Sequence, residues 1–311
     1  MANLPFQILK IIRPLHWTKN LALYAALIFT GTLFIKSYFI QISWAFIVFC
    51  LITSATYIFN DIMDAKSDRL HPIKKERPIA KGTIPIKFAF VLFLVFTLLS
   101  FYLASHLNPL FTFLIAGYLL IQIAYSLGLK NLAIVDILII ASGFIIRVYA
   151  GAVVINAHLS VWFLLCVISV ALFLASGKRR AELGVIQGAT ITTRKSLSKY
   201  SKPLLDSYVT MFGNAAWLSW ALFTFFESPP ATLPIWLFLA EISKATTINK
   251  LLMITIPVVI YGIMRYESLI FEDRSEAPEK LLLTDVSLIT AVIIWLFLVV
   301  FILYGGVSSF I

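Results

Sequence analysis

The sequence predicts an all-α integral membrane protein with about nine transmembrane helices, and three observations predict it. The 311-residue chain is 60% hydrophobic and only 13% charged, whereas a soluble globular domain carries charge on about a quarter of its residues. Apolar runs of roughly 17–25 residues recur along it, the length an α-helix needs to cross ~30 Å of hydrocarbon. Lysine and arginine are also spread unevenly over the connections, as membrane orientation requires.

Taken in order, the elements begin with residues 1–20. There Leu4, Phe6, Ile8, Leu9, Ile11 and Ile12 alternate with Lys10 and Arg13 ahead of Pro14, the pattern of a short interfacial helix. Met1 to Lys19 lacks the apolar core and small-residue cleavage site of a signal peptide. Nine apolar runs follow, at 21–36 (short), 39–59, 85–105, 109–127, 133–152, 159–176, 206–226, 248–267 and 286–304, while the run at 231–240 is too short to span. No connection is long enough to hold a soluble domain, so 1–311 reads as a single transmembrane helical domain.

With the N-terminus inside, the cytoplasmic segments are 1–20, 60–84, 128–132, 177–205 and 265–285. They then hold or border 21 of the 25 Lys and Arg residues. Lys36, Lys244 and Lys250 fall outside and Arg147 lies within a span. An odd number of spans puts the C-terminus on the other side. The net charge of +10 is explained by this orientation and by anionic lipid, so nucleic acid is not an expected partner. Cys50 and Cys166 both lie in apolar runs without CxxC spacing, which implies neither a disulfide nor a zinc site. The four histidines lack zincin spacing, and no Walker loop, dinucleotide fingerprint or nucleophile elbow occurs.

The polar residues concentrate at one membrane face. Asn60 and Asp61 end the second span, and Asp61, Asp64 and Asp68 follow at i, i+3 and i+7, so all three project from one helical stripe. Carboxylates in register repel unless a cation lies between them, and hard oxygen donors suit Mg²⁺. Lys74, Lys75 and Arg77 nearby could hold further anionic groups. This pattern reads as a metal–diphosphate site; the bland alternative is a solvated acidic face.

A second cluster runs from Tyr125 through Lys130 to Asp136, with Gly143, Arg147 and Gly151 beyond. Asp136 reads as a second metal or substrate site, and Lys130 as a phosphate contact. Arg147, three turns deeper at about 16 Å, marks either a polar cavity or a structural interhelical ion pair. Gly143 and Gly151 read as close-packing positions. Lys178, Arg179, Arg180 and Glu182 close the sixth span, as a phosphate site or a snorkelling flank. The stretch from Arg265 through Glu272, Asp273, Arg274, Glu276, Glu279 and Lys280 to Asp285 forms an acidic connection. A fifth cluster, Arg13 to Asn20, carries Trp17 and Lys19.

Asn60-Asp61-x-x-Asp64-x-x-x-Asp68 resembles the first aspartate motif of the UbiA superfamily of intramembrane prenyltransferases, and the resemblance extends over nearly the whole chain. More narrowly, the sequence is similar to the decaprenyl-phosphate phosphoribosyltransferase branch. The matching pieces are Arg13-Pro-Leu-His-Trp17-Thr-Lys19-Asn20, Asp68-Arg-Leu-His71-Pro72-x-Lys74-x-x-Arg77-Pro78, Gly143-Phe-Ile-Ile-Arg147 and Gly177-Lys178-Arg179-Arg180-x-Glu182. Arg265-Tyr266 and Pro278-Glu279-x-Leu-Leu-Leu-x-Asp285 complete them. Typical superfamily members carry a second Asp-x-x-x-Asp, whereas here Asp136 is followed four residues later by Ile140.

The resemblance implies a helical bundle with a cytoplasm-facing cavity in the bacterial cytoplasmic (inner) membrane. It also implies transfer of 5-phosphoribose from phosphoribosyl pyrophosphate to a polyprenyl phosphate lipid, feeding cell-envelope arabinose-type glycans. On this reading Asp61, Asp64 and Asp68 hold Mg²⁺, with Asp61, Asp64, Lys130 and Asp136 central to catalysis. Lys19, Asn60, Asp68, Lys74, Arg77, Tyr125, Arg147, Lys178, Arg179, Arg180 and Arg265 contact substrate. Homo-oligomerisation is left open. The rival is prenyl transfer from a polyprenyl diphosphate to an aromatic or quinone-precursor ring.

Overall fold

The computed structural model describes residues 4–70, 74–186, 196–227, 246–272 and 284–305. His71, Pro72, Lys244, Asp273, Arg274, Glu276, Pro278, Glu279 and Lys280 and the short run at 231–240, named above, lie outside them. All regular structure among the described residues is helical. Eight helices there are long and apolar enough to cross a membrane: Lys36–Asp68, Ile86–Ser105, Pro109–Leu127, Val135–Val154, Val161–Gly184, Lys202–Phe226, Lys250–Phe271 and Val286–Tyr304. They fall on eight of the nine expected spans. We label the α-helices α1 (Leu4–Ile12), α2 (Ala25–Phe29), α3 (Lys36–Asp68), α4 (Pro78–Lys81), α5 (Ile86–Ser105), α6 (Pro109–Leu127), α7 (Val135–Val154), α8 (Val161–Ile186), α9 (Lys202–Phe226), α10 (Ile256–Phe271) and α11 (Val286–Tyr304).

The expected span at 21–36 is corrected. Helical winding starts earlier, at Pro14, runs as a tight 3-10 helix to Tyr24, and continues as α2 only to Phe29. Gly31, with φ 76°, then turns the chain into α3. The first eleven residues rise about 2.0 Å each and the last five about 1.5 Å, so the contour is still about 30 Å. In a 3-10 helix residues three apart eclipse, and Trp17, Asn20 and Leu23 form one such stripe. Asn20 and Leu23 are buried, and Trp17 donates from Nε1 to Ser54 Oγ at 3.0 Å.

Local signals set the other helix ends. Asn108 caps α6, its side chain accepting from Leu110 N at 2.8 Å ahead of Pro109 at the first helical position. Ser201 caps α9 in the same way. Asp285 caps α11, accepting from Leu288 N at 2.8 Å, and Gly82 ends α4 at φ 81°.

The chain forms two compact units. Among the described residues, the first comprises 4–27, 34–70, 74–157 and 196, and the second 28–33, 158–186, 197–227, 246–272 and 284–305. In the first, Ile11, Ala55, Ile58, Ala65, Ile79, Ile84, Ala89 and Phe93 form a core that ties α1 and α4 to the C-terminal half of α3. In the second, Phe173, Val209, Tyr266, Leu269, Ile270 and Leu288 do the same for α8, α9, α10 and α11. At 33 residues α3 is about 50 Å long, well beyond a hydrocarbon core. Its last turns, which carry the aspartates, therefore extend past the apolar run instead of forming a loop.

Candidate active site

Continuous helix through 61–68 puts Asp61, Asp64 and Asp68 on one side of α3, as the spacing predicts. Asp61 and Asp68 are buried, and the Asp64 side chain is one-fifth exposed. The core positions their partners. Ile11 anchors α1 so that Arg13, one residue beyond its end, reaches Asp61. Pro78, Ile79 and Ala80 are buried, which sets Arg77 against the same stripe. Arg69 Nε donates to Ala80 O at 3.1 Å and braces that turn.

The bonding is specific. Asp61 Oδ1 accepts from Arg13 Nη2 at 2.6 Å and from Arg77 Nη1 at 3.0 Å. The same Arg77 nitrogen donates to Asp68 Oδ2 at 2.7 Å. Asp64 Oδ1 accepts from Lys130 Nζ, and Asp64 Oδ2 from Asn60 Nδ2 at 3.1 Å. Ser126 Oγ lies 3.2 Å from Asn60 Oδ1 and shares its single proton between that oxygen and Gln122 O at 2.9 Å. Arg13 also lies over the Tyr57 ring, 5.1 Å from its centroid. Burial works against its charge, but the Asp61 carboxylate more than offsets this and holds the guanidinium pKa above its ordinary value. Arg13 adopts φ 55° and Ile134, two residues before Asp136, φ 70°. Both are left-handed conformations uncommon in residues with a side chain, and strain of this kind gathers at functional sites.

Among the described residues no group of three or more His, Cys, Asp or Glu side chains encloses a metal position, because each of the three carboxylates is turned onto a cation. The donor chemistry nevertheless fits a hard cation. Asp61 and Asp68 both turn a carboxylate oxygen to Arg77 Nη1, and with Asp64 they would supply the oxygen donors that a divalent ion takes.

Other expected site residues are distributed as follows. Asp136 is fully buried in the first turn of α7; Tyr125, beside Ser126, and Lys74 and Lys19 are half-buried. Arg147 is buried, yet it does not join the aspartates. Its Nε donates to Asn20 Oδ1 at 2.7 Å, Nη1 to Gly143 O at 2.5 Å, and Nη2 to Tyr118 Oη at 3.0 Å and Thr53 Oγ1 at 3.4 Å. Thr53 is eight residues before Asp61, about 12 Å along α3. No carboxylate is among these partners: of the two readings open for Arg147, a polar cavity or an ion pair, the bonds form a cage of neutral acceptors. Gly151 packs as expected: a Cβ there would overlap the Leu23 carbonyl oxygen.

In the second unit Arg179 and Arg180 are buried. Arg179 pairs with Glu182 at 2.5 Å and Arg180 with Asp206 at 2.5 Å, while Lys178 is half-buried. Arg265 grips Asp285 with two bonds, at 3.2 and 2.7 Å. Asp285 is thereby held below the usual carboxylate range, first by Arg265 and then by the Leu288 N–H.

Sequence reasoning gave Arg13 no specific role and missed Ser126 and Asp206. Arg13 stood in a basic cluster that could have flagged it; Ser126 and Asp206 carried no signal.

Comparison with known proteins follows the same lines. The model of the UbiA prenyltransferase family matches residues 17–181. The chain is 32% identical over 307 residues to a decaprenyl-phosphate phosphoribosyltransferase of Corynebacterium glutamicum, covering 97% of this chain and 88% of that protein. It is 38% identical over 227 residues to a decaprenyl-phosphate phosphoribosyltransferase of Mycolicibacterium smegmatis, covering 72% and 71%. Among solved structures, a UbiA homolog from Archaeoglobus fulgidus bound to DMAPP and Mg²⁺ has the same fold, with a TM-score of 0.67 at 16% identity over 97% of this chain and 99% of that one. A digeranylgeranylglyceryl phosphate synthase gives 0.64 at 17% identity over 98% and 100%. The chain belongs to the UbiA prenyltransferase family, within the branch of the decaprenyl-phosphate phosphoribosyltransferases.

Proposed function

We propose that the chain transfers 5-phosphoribose from phosphoribosyl pyrophosphate to a polyprenyl phosphate of the decaprenyl type, with Mg²⁺, releasing diphosphate. The observation that carries this reading is the tier in which Asp61, Asp64 and Asp68 meet Arg13, Arg77 and Lys130. Its support is a nearly full-length relative named for that activity. An oxygen of the acceptor phosphate bonds to C1 of the ribose while the C1–O bond to diphosphate breaks, and diphosphate departs with the electron pair. The acceptor is already ionised near neutral pH, so no general base is needed, in keeping with a site built from carboxylates and cations.

Asp61, Asp64 and Asp68 would hold Mg²⁺ through hard oxygens, and the ion, when bound, neutralises charge developing on the leaving diphosphate. Arg13, Arg77 and Lys74 would bind diphosphate oxygens. Asn60, hydrogen-bonded by Ser126, orients Asp64. Lys130 would contact phosphate oxygens from its place beside Asp64, and Asp136 and Tyr125 would hold ribose or the acceptor phosphate, with Lys19 a further anion contact. Arg147, caged by neutral groups, would set the depth of the polar site. In the second unit we propose Lys178, Arg179, Arg180 and Arg265 as phosphate contacts, two of them braced by Glu182 and Asp206. The basic-residue distribution supports a cytoplasmic-side site in a bacterial cytoplasmic membrane, with 1–311 as one membrane domain. The product would serve as a lipid-linked precursor of cell-envelope arabinose-type glycans.

The test is a transfer assay on purified protein with Mg²⁺, labelled phosphoribosyl pyrophosphate and a polyprenyl phosphate, with Asp64→Ala as control. Labelled lipid that disappears in the variant is the expected result. Turnover only with a prenyl diphosphate and an aromatic acceptor would overturn the reading.

A further inference from the structure

We propose that Arg13, Arg77 and Lys130 compete with metal for the aspartates and pass to the diphosphate when it binds, so that divalent cation and diphosphate bind together and the cation alone binds poorly. This rests on the proposed diphosphate site and specifies how that site loads.

Three carboxylates, Asp61, Asp64 and Asp68, are bonded to three cations, and the formal charges of the tier cancel. A dication entering alone would leave the tier at net +2. Asp61 and Asp68 are buried, and the side chains of Arg13, Arg77 and Lys130 are a quarter exposed or less, where surplus charge is least tolerated. A diphosphate arriving with the dication carries its own negative charge and offers oxygens to the same guanidiniums and ammonium. Each cation can then leave its aspartate without losing a partner, and the freed carboxylate oxygen turns to the metal.

Arg77 is the pivot. One nitrogen, Nη1, bonds oxygens of both Asp61 and Asp68, so Arg77 and a metal held by these residues would compete for the same carboxylates. Asn60 bonds Asp64 without charge and is itself held by Ser126, so it can stay in place throughout the exchange.

The experiment uses Mn²⁺ as the spectroscopic probe, reading free ion by electron paramagnetic resonance on the full-length purified protein, with and without inorganic pyrophosphate. No donor or lipid is present. Wild type is expected to bind Mn²⁺ at least tenfold more tightly with pyrophosphate than without it. Arg77→Gln is expected to bind Mn²⁺ alone about tenfold more tightly than wild type, about 1.4 kcal/mol, and to lose most of the gain from pyrophosphate. Arg13→Gln should shift in the same direction by less, since it contacts only Asp61. The wild-type comparison stands even if a variant fails to fold. Equal Mn²⁺ affinity with and without pyrophosphate, or no tighter Mn²⁺ binding in folded Arg77→Gln, overturns the exchange while leaving a metal–diphosphate site intact. Failure of wild type to bind either probe overturns both the exchange and the diphosphate reading.

Discussion

Replacing Gly151 by alanine tests the packing beneath the site with one methyl group. An added Cβ would overlap the Leu23 carbonyl oxygen and lie 2.9 Å from Leu23 C and 3.0 Å from its Cα. Carbon atoms prefer about 3.5–4.0 Å, so the segment from Pro14 to Tyr24 must retreat from α7 by roughly 0.5–1 Å. The obstacle is backbone, which cannot rotate aside. Overpacking of this kind costs about 1–3 kcal/mol. Asn20, one 3-10 turn from Leu23, accepts from Arg147 at 2.7 Å, and a retreat stretches that bond. A hydrogen bond to a charged group contributes about 1.5–3 kcal/mol, so a total near 3 kcal/mol is expected. For a chain of 311 residues this lowers the unfolding temperature by about 5 °C. Gly117→Ala in α6 is the control, since nothing lies within 4 Å of its added Cβ. It should hold or raise the unfolding temperature, alanine being favoured over glycine in a helix by about 0.5–1 kcal/mol. Thermal unfolding of both variants in one detergent decides the matter. Equal unfolding temperatures would refute the contact between Leu23 and α7.

Four other outcomes are expected. Asp64→Ala should reduce transfer by about 10²–10³-fold, the scale of losing a charge-stabilising group, with circular dichroism unchanged. Chelation of Mg²⁺ should abolish turnover but move the unfolding temperature little, because Arg13, Arg77 and Lys130 already balance the carboxylates. Arg147→Ala should destabilise the protein by about 2–4 kcal/mol, since Asn20 and Tyr118 lose a charged donor while buried; chemical denaturation with unchanged slope would show it. Asp285 has a depressed pKa, so its contribution to stability is full above the ordinary carboxylate value of about 3.9 and disappears as pH falls through the lower folded value. The gap in unfolding temperature between wild type and Asp285→Asn should therefore be widest near neutrality and narrow as pH falls below the ordinary carboxylate range.

The spans and the aspartate stripe were legible because each depends on one local period: a hydrophobic run the width of a bilayer, or carboxylates three and four residues apart. What joins distant segments was not. Arg13 meets Asp61 across 48 residues, and Ser126 meets Asn60 across 66, through packing at Ile11 and along α6 that leaves no pattern in either stretch. For Arg147, where a polar cavity and an ion pair were both open, the neutral partners were illegible for a related reason. Charge alone suggests a carboxylate, but Asn20, Tyr118, Thr53 and a backbone carbonyl together supply enough acceptors. The first span was placed at 21–36 because Thr18, Lys19 and Asn20 interrupt the apolar run, whereas the 3-10 winding carries helical structure back through them to Pro14.

That winding has a consequence for anyone altering the chain. Trp17, Asn20 and Leu23 bond Ser54, cage Arg147 and seat against Gly151 respectively, three attachments on one edge of a helix with three residues per turn. Inserting or deleting a single residue between them would swing the later attachments by about 120° and replace Asn20 or Leu23 by a neighbour of the wrong chemistry. The segment works as a keyed shaft whose teeth admit one alignment. Chimeras and loop transplants between relatives should therefore join outside 14–24.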